Sequence, residues 1–172
     1  MLILYDINHI KIAALQNAKD PKLERELSGL ETLSFSYPQS DSRCVQIQNE
    51  GFIRTETNEY VIKEVNPKTN WTDIIAKVNT DDLYGKEFDS FDVSDNLTNT
   101  SNLALAGTGW TVVCDFIKIR HIKLVFKNSV DIFKEIINIW NCDIWFDAIN
   151  KRVYLYNKMG SDKGAYFIDQ LN

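Results

Sequence analysis

The stretch ETLSFSYP, residues 31–38, sets Leu33, Phe35 and Tyr37 at every second position with Ser34 and Ser36 between them. Strict alternation of this kind fits a β-strand with one buried face and no helix, and Pro38 ends it. A strand with a single apolar face needs partners on both edges and a layer beneath it. The chain around it supplies candidates. Leu2–Tyr5 and Ile10–Leu15 flank the polar turn Asp6-Ile7-Asn8-His9 and read as an opening hairpin. Gly51–Arg54 and Glu59–Val65 form a second pair around TETN, and Trp71–Val78 follows the NPKTN turn. Short strands joined by turns, with no helix between them, fit a small barrel or sandwich better than a parallel sheet.

The second half changes character. Ser94 or Asp95 can cap a helix that runs to about Ala106. A stronger helix follows, with Ile132, Phe133, Ile136, Ile137 and Trp140 on one stripe, Asp131, Lys134, Glu135 and Asn138 on the other, and Ser129 as the N-cap. The sheet it needs is expected from Ile117–Lys127, Asp143–Asp147 and Arg152–Tyr156, the last two forming a hairpin around AINK. The fold class is therefore α+β: an antiparallel β-barrel-like module over residues 1–85, then an α+β module with two helices and β-hairpins over residues 86–172.

Totals narrow the function. With 172 residues, 44% of them hydrophobic, the chain can bury a core without a disulfide framework. Its 24 acidic against 19 basic residues give a formal charge of -5, which argues against general binding of nucleic acid. Cys44, Cys114 and Cys142 are odd in number and lack C-x-x-C spacing, so they encode neither a disulfide framework nor a zinc site, and reduced, partly buried thiols are expected. The opening MLILYD meets Asp6 after a short apolar run with no basic region before it, unlike a signal peptide. No apolar run approaches the ~18 residues a membrane span requires.

Four features could carry chemistry. The Gly-x-Gly of LALAGTGWTV, residues 103–112, would cradle a phosphate only if the glycines opened a helix. Here the expected helix precedes Gly107, which reads as its left-handed stop, and Trp110–Val113 reads as a strand. The basic stretch with Lys118, Arg120, His121, Lys123 and Lys127 reads as the solvent face of a strand. Its apolar phase changes between Ile119 and Ile122, which suggests a β-bulge near Arg120-His121. His9 and His121 lack the neighbours a metal site needs, and His9 reads as a turn residue. Trp140, Trp145, Tyr154 and Tyr156 could form a carbohydrate platform, yet helix and hairpin spacing fits core better. No catalytic, cofactor-binding or metal-binding residue is singled out.

Five segments then act together: LILYDINHIKIAAL, LERELSGLETLSFSYP, GFIRTETNEYVIKEV, LALAGTGWTV and VDIFKEIINIWNCDIWFDAINKRVYLYNKMGSDKGAYF. In this order they resemble the amino-terminal region of phage minor tail proteins, the family of tail-associated lysins, tail endopeptidases and baseplate-hub proteins; residues 86–96 match least. The resemblance implies a structural part of a virus particle at the tail tip, made in the cytoplasm of a host bacterium. It implies a ring of β-barrel domains closed by three subunits at the distal end of the tail tube. Its expected partners are two further copies in the full-length protein, a distal tail or tail-tube protein above, and a fibre, spike or lysin domain below. Specific nucleic-acid binding and membrane insertion are not expected. Family members are much longer, so the resemblance also implies an amino-terminal fragment, a truncated piece or a degenerate prophage gene, with the second module cut short at its C-terminal end and any peptidoglycan-cleaving domain in later sequence. Two rival classes remain at this stage: a cell-wall hydrolase fragment and a module that binds host-surface carbohydrate.

Overall fold

A computed structural model describes residues 1–115 and 117–157. Residues 158–172, which hold the end of the expected second module and of the last resemblance segment, lie outside the described residues, as does Phe116.

The chain opens with the expected hairpin, β1 (Ile3–Tyr5) and β2 (Lys11–Ala14). Asp6 makes the turn, because its Oδ1 accepts the backbone N–H groups of Asn8 at 2.9 Å and Ile10 at 2.8 Å, while His9 takes the left-handed region at φ 58°. There follow β3 (Lys19–Arg25), β4 (Glu31–Pro38), β5 (Phe52–Arg54), β6 (Glu59–Pro67) and β7 (Trp71–Val78). All seven form one antiparallel sheet in the order β2-β1-β5-β6-β7-β4-β3. The alternation of β4 is obeyed residue by residue: Leu33, Phe35 and Tyr37 are buried and face Ala76, Ile74 and Thr72 of β7.

Strands β2 and β3 follow each other in the chain yet lie at opposite edges of this sheet. Only residues 15–18 join them, a link of five Cα–Cα steps that spans at most about 19 Å. Seven flat strands would set those edges about 29 Å apart. The sheet must therefore curl hard to bring its ends together. It does not close, since β2 and β3 form no ladder with each other, and this corrects the expected barrel to an open, curled sheet. Strand β3 guards its own edge with Lys19, Asp20, Pro21, Lys22, Glu24 and Arg25 and a break in register between Lys19 and Lys22.

After the single turn α1 (Asp81–Tyr84), the second half runs β8 (Glu87–Asn96), α2 (Leu97–Leu105), β9 (Thr111–Cys114), β10 (Ile119–Asn128), α3 (Ser129–Trp140), β11 (Asp143–Asp147) and β12 (Arg152–Tyr156). Strands β8 and β10 make a two-stranded antiparallel ribbon; β11, β12 and β9 make a three-stranded sheet in which β9 runs parallel to β12. Helix α3 buries Ile132, Phe133, Ile136 and Trp140 on its apolar stripe, as its periodicity requires. The Trp140 indole N–H donates to the Lys118 carbonyl at 2.8 Å.

Three details differ from expectation. Asn96 caps α2, accepting from the Asn99 N–H at 2.9 Å, because β8 extends through Ser94 and Asp95 to Asn96 and the helix starts only at Leu97. Asn128 caps α3 through the Asp131 N–H at 2.9 Å, which frees the Ser129 hydroxyl to donate to the Ala104 carbonyl at 2.7 Å and tie α3 to α2. Strand β10 keeps one register with β8 from Ile119 to Asn128, so there is no bulge at Arg120-His121. The irregular residue is Phe126, left-handed at φ 51°, and Ile117 and Ile119 are exposed instead of forming a second buried phase.

The halves meet through buried polar groups. Asn58, wholly buried, accepts at Oδ1 from the Glu59 N–H at 3.0 Å and the Ala148 N–H at 2.9 Å. Its Nδ2 donates to Glu31 Oε2 at 3.1 Å and to the Phe146 carbonyl at 2.8 Å. Glu31, 2% exposed, also accepts from Tyr60 Oη at 2.8 Å and Arg25 Nε at 2.7 Å. Beside them, Glu59 is held by Arg54 Nη2 at 2.6 Å, Asn79 Nδ2 at 2.9 Å and His9 Nε2 at 3.3 Å. Burial alone would push the Glu59 carboxyl up; hydrogen bonds from Asn79 and Arg54 and the Arg54 charge outweigh it and hold it below the usual carboxylate range.

Two outcomes follow. Asn58→Ala strands two backbone donors, a carbonyl and part of a carboxylate in the interior, and costs roughly 3 kcal/mol or more in denaturant unfolding; a loss under about 1 kcal/mol would contradict the joint. Because the folded carboxyl of Glu59 binds its proton less readily than the unfolded one, its contribution is present above the ordinary carboxyl value of about 4.3 and is lost as pH falls below it. Unfolding measured between pH 7 and pH 3 is therefore flatter in Glu59→Gln than in the wild type.

Candidate functional site

The glycines of residues 103–112 sit where the sequence put them. Helix α2 ends at the Ala106 cap, Gly107 follows at φ 82°, and Gly109 is also left-handed at φ 79°. Thr108 locks the turn, donating from Oγ1 to the Leu105 carbonyl at 2.7 Å and accepting from the Trp110 N–H at 3.1 Å. Trp110 is then buried and β9 begins. The groups exposed at this end of α2 are carbonyls at the negative end of its dipole, which repels a phosphate.

The four candidate aromatics separate into two roles. Trp140 lies in the core under α3. Trp145, Tyr154 and Tyr156 form a stacked row on the outward face of the three-stranded sheet, with centroids 5.2 Å and 6.2 Å apart and each ring half-buried. The indole N–H of Trp145 is buried without a hydrogen-bond partner among the described residues.

Where the two halves meet, a cleft of about 250 Å³ opens between His9, Phe52 and Glu59 on one side and Trp110 and Lys151 on the other, with Asp81 and Asp82 at its rim. His9 stacks on Phe52 at 3.8 Å between centroids. Its charges are already matched: Glu59 by Arg54, Asp82 by Lys151 at 2.6 Å, and Asp81 by Lys63 at 3.4 Å. Among the described residues, every carboxyl with a displaced pKa is displaced downward: Asp41, Glu59, Asp73 and Asp92. A general acid needs the opposite displacement. Burial pushes the Cys142 thiol up to about 12, which makes it a poor nucleophile. Among the described residues no group of three or more His, Cys, Asp and Glu side chains is placed to hold a metal ion, and no helix is long and apolar enough to cross a membrane.

The basic stretch proves to be one strand of the β8–β10 ribbon. Asp92 of β8 accepts from Lys123 and from His121, each at 2.8 Å, and both hydrogen bonds lower its pKa. Lys118 leaves the strip altogether and donates to the Trp140 carbonyl at 3.4 Å and to Asn157 Oδ1 at 3.2 Å. Periodicity could not reveal Asn58, whose partners Phe146 and Ala148 lie 88 and 90 residues away, or Glu59, which draws on Asn79 and His9 as well as the nearby Arg54. The carboxylates of β8 were readable, as Glu87, Asp89, Asp92 and Asp95 crowd one short segment with no cation among them.

With that geometry in place, the likeness to known proteins becomes informative. Residues 2–81 match the prophage endopeptidase tail N-terminal domain, and residues 86–155 match the prophage endopeptidase tail domain. No curated protein matches the chain. Among solved structures, a prophage tail protein from Listeria monocytogenes aligns with TM-score 0.75 at 11% identity, over 99% of this chain and 55% of its own. A tail protein from Neisseria meningitidis aligns with TM-score 0.61 at 9% identity, over 96% and 52%. The 43 kDa tail protein of prophage MuSo2 from Shewanella oneidensis gives 0.59 at 10%, over 95% and 57%. The chain spans about half the length of these proteins, and at such identities the likeness is one of fold. Two consecutive tail domains, on a fold shared with three tail proteins, make this chain a member of the prophage endopeptidase tail family, as an amino-terminal region of a phage tail protein.

Proposed function

We propose that the chain is a non-enzymatic structural component of the tail tip, a baseplate-hub subunit that assembles a ring at the distal end of the tail tube. The observation that carries this reading is the ordered pair of tail domains over residues 2–81 and 86–155. Their fold suits the task. The curled sheet and the helix-backed second half are joined by buried, fully bonded polar groups, which give a rigid body able to hold a fixed angle to its neighbours. In the full-length protein three copies close the ring, with a distal tail or tail-tube protein above it and a fibre, spike or lysin domain below. Any peptidoglycan-cleaving chemistry belongs to such a further domain. The charge of -5 suits a lumen that passes DNA without retaining it.

The stacked row of Trp145, Tyr154 and Tyr156 favours a second reading, recognition of host-surface carbohydrate. Assembly is preferred because these rings stack on one another and are half-buried, which leaves less open face for a sugar.

Light scattering on the full-length protein separates the readings, returning three times the subunit mass for a hub; a monomer at high concentration contradicts it. Saturable binding to purified wall polysaccharide, abolished by Trp145→Ala or Tyr156→Ala, would establish the second reading in its place.

A further inference from the structure

The ribbon of β8 and β10 carries more than its fold requires. Each strand is ten residues long and, among the described residues, each pairs only with the other, so both outer edges present backbone donors and acceptors that lie outside any ladder there. One face rests on the body of the second half through Phe91 and Ile122. The other lies in solvent, where Ile119 is 66% and Val125 56% exposed; the next residue, Phe126, is 81% exposed although its phase is that of Ile122. Phe126 also holds a left-handed backbone that is costly for a bulky residue. Neither edge has the proline and register break that guard β3. Charge alone keeps these long edges from indiscriminate pairing, so a partner strand of opposite charge can still use them as a template.

The charges choose the partner. Strand β8 carries Glu87, Asp89, Asp92 and Asp95 and no cation; β10 carries Arg120, His121, Lys123 and Lys127 and no carboxylate. Only part of this is used within the chain, where Asp92 takes Lys123 and His121. Among the described residues Glu87, Asp89, Arg120 and Lys127 have no ion-pair partner. Pairing β10 with β10, or β8 with β8, would set like charges side by side, so a two-fold dimer through this ribbon is disfavoured. Pairing β10 with β8 repeats the antiparallel sense and charge match already present inside one chain.

We infer that the free edge of β10 in one copy pairs with the free edge of β8 in the next. Such a contact joins two different patches and is heterologous, so it propagates head to tail until it closes into a ring. The inference rests on the hub reading, for which it names the contact between subunits.

The test uses two charge reversals in the full-length protein, Arg120→Glu with Lys127→Glu, and Glu87→Lys with Asp89→Lys. All four sites lie outside the buried core, and melting curves near that of the wild type check that the variants fold. Sedimentation velocity is expected to show a trimeric wild type and each variant at least tenfold weaker in self-association. An equimolar mixture of the two variants then recovers association as two-chain complexes, since alternating partners cannot close a three-membered ring. Variants that remain trimeric beside a trimeric wild type overturn the ribbon contact and leave the hub reading standing. Dissociated variants that fail to recover on mixing also overturn the contact. A wild type that is monomeric at every concentration overturns both.

Discussion

A buried amide fixes the register of the two halves of this protein, beside an apolar core that runs through both. Asn58 has no access to water, and its side chain spends every donor and acceptor position on a partner: two backbone N–H groups, one carbonyl and one carboxylate. Two of those partners, Phe146 and Ala148, belong to the second half, at and just beyond β11. Shifting β11 by one residue would break both bonds and turn Phe146 out of the core. Apolar packing alone tolerates such slips better than a buried polar group does, because an unmade hydrogen bond inside a protein is costly. The arrangement also answers a need of the first half. Glu31 heads the inward row of β4, and a carboxylate there is tolerable only because Arg25, Tyr60 and Asn58 all donate to it.

A second constraint, purely geometric, shapes the first half. The four-residue link between β2 and β3 is too short to cross a flat seven-stranded sheet, so curvature is imposed by connectivity. The sheet stops short of closure, and its edge at β3 is made unattractive by charge, proline and an irregular register. The edges of the β8–β10 ribbon differ: each carries charge of a single sign, without the proline or the register break of β3.

How much of this was legible depended on whether local pattern or distant partners decided the outcome. The period-two pattern of β4 and the stripe on α3 were readable because one face of each is buried and the other wet. The glycine stretch was readable because a left-handed residue after a helix needs no Cβ, as Gly107 shows. Strands β3 and β8 were not, since KDPKLER and EFDSFDVSDN lack clean alternation and become strands by pairing with β4 and β10. The caps moved by one or two residues for a related reason: β8 pairs as far as Asn96, and this last residue of the strand, directly before Leu97, caps α2. The absent bulge in β10 has the same origin, for Ile117 and Ile119 look like a buried phase in sequence and find no cover among the described residues. Asn58 could not have been found at all, as its decisive partners are 88 and 90 residues away.

The buried joint, the curled sheet and the charged ribbon describe a body with strand edges and unpaired charges on its surface, which suits the proposed ring-forming part of a tail. Electron cryomicroscopy of the assembled phage tail tests this most directly. The expected map holds three copies around the axis at the distal end of the tube, with the seven-stranded sheet and the second half keeping the Asn58 joint and with β10 of each copy beside β8 of the next. A map that places the chain elsewhere in the particle, or at the tip as isolated copies without contact, would contradict a hub subunit.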